Sequence, residues 1–102
     1  KKESIGMTFG LNVTYTLKPG KRAGYLEALH QVGLPDVVRQ EEGCLEYSYY
    51  LDAQDPDKLL LVERWASRAA QQAHLRQPHM MPAIALKRDY VNDTALLCYD
   101  IE

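Results

Sequence analysis

Positions 7–17 alternate strictly. Phe9, Leu11, Val13, Tyr15 and Leu17 fall on one side, and Gly10, Asn12, Thr14 and Thr16 on the other. Period two with aromatic and β-branched residues predicts a half-buried strand. After Pro19-Gly20 the spacing changes: Ala23, Leu26, Leu29 and His30, then Leu34, Val37 and Val38, trace a helical stripe. Gly33 and Pro35 divide it, so a helix over 21–32 and a second piece reaching about 41 are expected. Glu42-Gly43 is a stop and turn. Alternation returns over 44–52, with Leu45, Tyr47, Tyr49 and Leu51 on one face, and Asp55-Pro56-Asp57 closes a polar loop. The run Leu59-Leu60-Leu61-Val62-Glu63-Arg64-Trp65 gives a third strand over 58–65, pairing with the second as a hairpin. Ser67 caps a short helix over 67–76, Pro78 interrupts it, and Met80, Ala83, Ile84 and Lys87 suggest another over 79–90. A last strand covers 93–101.

The order β-α-β-β-α-β is the split βαβ, or ferredoxin-like, arrangement: an α+β fold with a four-stranded antiparallel sheet and helices on one side. A sheet covered on one side should alternate apolar and polar residues. Leu59-Leu60-Leu61-Val62 and Ala95-Leu96-Leu97-Cys98-Tyr99 are apolar on both faces instead. The chain has nothing left to cover the second face, so a homodimer with sheets packed face to face is expected.

Composition narrows the picture. With 102 residues the chain makes one domain, and 46% hydrophobic with 25% charged residues is an ordinary globular balance. Twelve basic against 14 acidic residues, with no basic run interleaved with aromatics, argue against a nucleic-acid surface, and no apolar run is long enough to span a bilayer. Cys44 and Cys98 are expected as buried free thiols in a reducing, cytoplasmic setting. Residues 1–6 read as a flexible tail or an artificial extension ahead of a single domain over 7–102, with no secretory leader.

Chemistry concentrates at one corner. Glu63, Trp65, His74 and His79 lie within seventeen residues around the third strand and the short helix. Their order and spacing, together with Glu41-Glu42-Gly43-Cys44, Ala73-His74-Leu75 and Gln77-Pro78-His79-Met80, resemble the antibiotic biosynthesis monooxygenase family, in particular its quinol-monooxygenase-like branch. The resemblance implies a dimeric α+β barrel of two ferredoxin-like units with a small-molecule pocket in each. It also implies a reaction with O2 on a quinol or hydroxylated aromatic, without metal, flavin or other cofactor. Other branches of the family cleave haem or isomerise a phosphorylated autoinducer, so fold alone leaves the reaction open. The haem branch looks for an asparagine in the first strand, a tryptophan on the short helix and a histidine on the next. Asn12 suits the first, but His74 and Ile84 stand at the other two.

An oxygenation in which the substrate supplies the electrons needs a base for a phenolic proton and a dry, aromatic pocket. His74 is the first candidate base, against a structural histidine bonded to a backbone carbonyl. Trp65 would wall the pocket or serve as core, and Asn12 would hold a carbonyl or an oxygen species. Tyr47, Tyr49, Glu63 and His79 are candidate substrate contacts, with a structural ion pair to Arg64 across the dimer or to His74 the competing role for Glu63. His79 would line a pocket mouth or cap its turn. No histidine spacing gives a metal site. A non-catalytic dimeric ligand-binding module is the reading from a different class.

Overall fold

A computed structural model describes residues 7–102, so the expectation for 1–6 lies outside the described residues. The elements are β1 (Thr8–Leu17), α1 (Arg22–Gln31), α2 (Leu34–Arg39), β2 (Cys44–Leu51), β3 (Lys58–Trp65), α3 (Arg68–Leu75), a 3-10 turn (Pro78–Met80), α4 (Met81–Tyr90) and β4 (Val91–Ile101). The sheet order is β2-β3-β1-β4 and every neighbouring pair is antiparallel. This is the ferredoxin-like α+β fold, with the predicted β2–β3 hairpin at one edge.

The alternation in β1 does what period two requires. Phe9, Leu11, Val13, Tyr15 and Leu17 are buried against the helices. In register with them on β3 stand Leu59, Leu61, Glu63 and Trp65, all buried as well. Tyr25 and Leu29 of α1, Leu34 and Val38 of α2 and Ala83 of α4 complete the core from above. Local chemistry sets the boundaries. Gly33 takes φ +72° between α1 and α2, with Pro35 in the first turn of α2, where its missing N–H costs nothing. Ser67 caps α3, its hydroxyl accepting the Ala70 N–H at 3.1 Å. The β2–β3 loop is held twice. The Asp52 carboxylate accepts the backbone N–H groups of Gln54 and Asp55 at 2.8 and 2.7 Å. The Arg22 guanidinium donates to the carbonyls of Asp52, Asp55 and Lys58 at 3.3, 3.1 and 3.1 Å.

Three sequence expectations are corrected. A register shift between Cys44 and Glu46 leaves Leu45 unpaired and exposed, so Cys44 rather than Leu45 opposes Trp65 on the helix side. Cys98 is exposed rather than buried, toward the C-terminal end of the edge strand β4. That strand begins at Val91, straight out of α4, two residues earlier than the sequence suggested. Leu96 and Leu97, on opposite faces of it, are each about 60% exposed. Leu60 and Val62 on the helix-free face of β3 are half-buried.

On that helix-free face a Cβ at Gly10 would sit 2.5 Å from the Tyr99 ring, so glycine makes the room for this side chain. The Tyr99 hydroxyl then donates to the Asn12 amide oxygen at 2.8 Å. At the other end of the β1–β4 ladder the register shifts between Thr16 and Leu17.

Candidate functional site

Between the sheet and the helices lies a cavity of about 230 Å3. Its floor is Leu11, Val13 and Tyr15 of β1, with Tyr47 and Tyr49 of β2 and Glu63 of β3 beside them. Gln71, His74 and Leu75 of α3 and Met80, Ala83 and Lys87 close it from the helix side, and Thr94 and Leu96 of β4 border it.

His74 is placed by three contacts. Its ring lies over Trp65, with centroids 4.7 Å apart, and meets the Tyr47 ring edgewise at 5.9 Å. Its Nδ1 lies 3.0 Å from the nearer carboxylate oxygen of Glu41, in the turn after α2. A carboxylate only accepts, so Nδ1 carries the proton and a neutral His74 ring keeps its lone pair on Nε2. His79 donates from Nε2 to the same Glu41 oxygen at 2.6 Å. One half-buried carboxylate therefore ties the end of α3 and the 3-10 turn to the 40–43 turn. Gly43, at φ +83°, lets that turn pack against α3, where a Cβ would come within 2.6 Å of the Ala70 side chain. The two imidazole nitrogens converge on a carboxylate oxygen rather than on a common empty point. Among the described residues no group of three or more His, Cys, Asp or Glu side chains is arranged to hold a metal ion.

Glu63 is the carboxylate inside the cavity. It is buried, and the Trp65 indole N–H donates to it at 3.0 Å. Burial pushes its pKa above the ordinary carboxylate value, while the Trp65 bond and the nearby His74 and Lys87 charges pull it back. Within the chain, Arg64 points to the other face and pairs with Glu46 at 2.9 Å. Burial likewise raises the phenols: Tyr49 is pushed up to about 12, and Tyr15, Tyr25 and Tyr47 are raised as well. These hydroxyls keep their protons at neutral pH and act as neutral donors and acceptors.

The structure thus brings together His74, Glu63, Tyr47 and Tyr49 on one cavity, with Trp65 directly beneath His74. It sets two residues apart. His79 is not on the cavity wall; it reaches the site through Glu41. Asn12 alternates with Leu11 and Val13 and so lies on the helix-free face, bonded to Tyr99, away from the cavity. The reading of Asn12 as a cavity residue is corrected on strand parity alone. Glu41, Lys87 and Gln71 are cavity or support residues that the sequence reading did not single out.

Comparison with known proteins identifies the family and the fold. The family model for antibiotic biosynthesis monooxygenase matches residues 8–86. The chain is 33% identical over 73 residues to the probable quinol monooxygenase YgiN of Escherichia coli K12, covering 62% of this chain and 68% of that protein. It is 35% identical over 63 residues to the uncharacterised protein sll1783 of Synechocystis, where the match covers 62% of this chain and 42% of the relative's length. Among solved structures, PA3566 of Pseudomonas aeruginosa superposes with a TM-score of 0.83 at 21% identity, covering 98% of this chain and 99% of that one. On the match over 8–86 and the fold that carries it, the chain belongs to the antibiotic biosynthesis monooxygenase family.

Proposed function

We propose that this chain is a cofactor-independent monooxygenase that oxidises a quinol or other hydroxylated aromatic with O2. The observation that carries the proposal is the Glu41–His74 pair at the wall of an aromatic-lined cavity. Imidazole is the side chain suited to taking a proton near pH 7. Held by Glu41 through Nδ1, His74 presents Nε2 as the base for a phenolic hydroxyl. The resulting aromatic anion is the electron donor to O2, and the apolar lining of leucines, Val13 and Ala83 keeps competing water out. Glu63 and the tyrosine hydroxyls orient the ring by hydrogen bonds. The likeness to the probable quinol monooxygenase YgiN supports the substrate class.

The working form in this reading is a homodimer. The half-buried Leu60 and Val62 and the bare Leu97, all on the helix-free face, are the surface that a second copy would cover. Light scattering after gel filtration should give the mass of two chains; a single-chain mass across the micromolar range would count against it.

Oxygen uptake with a panel of hydroquinones tests the reaction, comparing the unaltered protein with His74→Ala. Uptake that falls at least a hundredfold in the variant is expected. Equal rates would remove His74 from the mechanism, and no uptake with any quinol would remove the reaction class. An isomerised product formed without oxygen consumption would select the isomerase chemistry instead. Binding without any turnover would select a ligand-binding module.

A further inference from the structure

Lys87 is the unexpected member of the cavity. Met80 at the end of the 3-10 turn and Ala83 and Lys87 of α4 follow at spacings of three and four and all face the cavity. A core-facing stripe of this kind is normally apolar throughout. Here its last position is an ammonium, partly buried over the ring face of Tyr15 with Nζ 5.5 Å from the ring centroid. Among the described residues no carboxylate lies within ion-pair distance of it. Glu63 is close enough to favour its charged form, yet burial still draws its pKa below the ordinary lysine value. Charges taken out of water are normally paired. An unpaired cation on the wall of a preformed cavity is a place for a ligand anion.

Position within the cavity says where that anion lies. Lys87 stands over Tyr15, whereas Glu63 is in register with Leu11, four residues back along β1, and His74 leans over the Tyr47–Glu63–Trp65 end. The ammonium and the His74 ring thus mark different ends of one cavity, with the space for a ligand between them. The volume suits a single ring, since a cavity of about 150 Å3 accommodates benzene and this one measures about 230 Å3.

Resting on the reading of His74 as the base, we propose that the substrate is a single-ring hydroxyaromatic acid. Its hydroxyl meets His74 and Glu63, its carboxylate is received by Lys87, and Lys87 is the residue that selects it. A neutral quinol fills the same space but leaves the ammonium unpaired.

The test is anaerobic titration calorimetry at pH 7 with three probes: 2,5-dihydroxybenzoate, its neutral amide, and hydroquinone. The unaltered protein should bind the acid at least tenfold tighter than either neutral probe. Lys87→Arg should keep that preference within threefold. Lys87→Met should abolish it while binding the amide within twofold of the unaltered protein, which also shows that the variant is folded. Equal binding of acid and amide by the unaltered protein, no binding of the acid, or a preference that survives Lys87→Met would each overturn the proposal. The first comparison decides even if the methionine variant fails to fold. Because no oxygen is present, the result is independent of turnover. Lys87-dependent binding of the acid followed by no oxygen uptake in air would overturn the oxygenase reading and leave the ligand assignment standing.

Discussion

Replacing Glu41 with glutamine isolates what its charge contributes. The carboxylate accepts from His74 at 3.0 Å and from His79 at 2.6 Å through the same oxygen. Its side chain is 11% exposed, and those of the histidines are 2% and 28% exposed, so solvent screens the pair only weakly. An amide oxygen in the same place can still accept both N–H groups, so the variant keeps the shape and loses the charge assistance. A hydrogen bond to a charged acceptor is worth roughly 1 kcal/mol more than a neutral one, giving about 2 kcal/mol for the two if they add. For a domain of this size about 2 kcal/mol corresponds to a fall in Tm of roughly 8–15 °C. Glu41→Ala should cost more, because it also leaves the buried His74 Nδ1–H without an acceptor. The second consequence concerns the tautomer. An amide can donate as readily as it accepts, so His74 is no longer compelled to keep its lone pair on Nε2. Loss of an orienting carboxylate in this role costs catalysis on the order of 10²-fold or more. Thermal unfolding by circular dichroism reads the first effect, and nitrogen chemical shifts of the His74 ring read the second without any substrate. A Tm within about 2 °C of the unaltered protein would refute the reasoning.

Three further outcomes follow from the geometry. Glu63 has a folded-state pKa raised by burial, so the folded protein holds this proton more tightly than the unfolded chain, and stability is lost as pH rises from the unfolded carboxylate value through the raised one. Glu63→Gln should therefore raise Tm at pH 8 and leave it nearly unchanged at pH 4; equal shifts at both would contradict this. Gly43→Ala should destabilise by about 1–3 kcal/mol in urea titration, because φ is +83° and the new Cβ meets Ala70 at 2.6 Å. Adding Ala70→Gly should recover only the part due to the contact. Arg22→Lys should loosen the 52–58 loop, since a lysine chain ends one bond short of Nη1, the one nitrogen that serves all three carbonyls. Faster amide exchange confined to that loop is the expected signature, and unchanged exchange rates would show that the Asp52 turn suffices alone.

Local pattern carried the sequence reading a long way. β3 was bounded correctly at Lys58–Trp65 because apolar run and loop chemistry agree there, and Ser67 was legible as a cap from its position before an alanine-rich helix. What was not legible depends on distance along the chain. Glu41 meets His74 across 33 residues and His79 across 38, and nothing in the composition of the 40–43 turn distinguishes Glu41 from its neighbour Glu42. Lys87 did carry a signal, as the charged member of an apolar stripe, but such a lysine usually reaches to solvent along its own stem. Asn12 was placed correctly on the face opposite Leu11 and Val13. Which face carries the cavity is decided only when the helices pack. The bulge at Leu45 is likewise invisible to a period-two count, which continues unbroken through it.

Gly10 and Tyr99 give the last strand a single stop along its track. A slip of β4 by two residues keeps every side chain on its own face, so alternation alone does not forbid it. Such a slip would carry the Tyr99 ring off the one position on β1 without a Cβ, onto Thr8 or Asn12, and would break the bond to the Asn12 amide. It would also present Cys98, or leave Thr94, where Leu96 now borders the cavity opposite Val13. The lining of the cavity on one side of the sheet is thus gauged by a glycine and a phenol on the other, and a methyl group added at Gly10 would act on it from the opposite face.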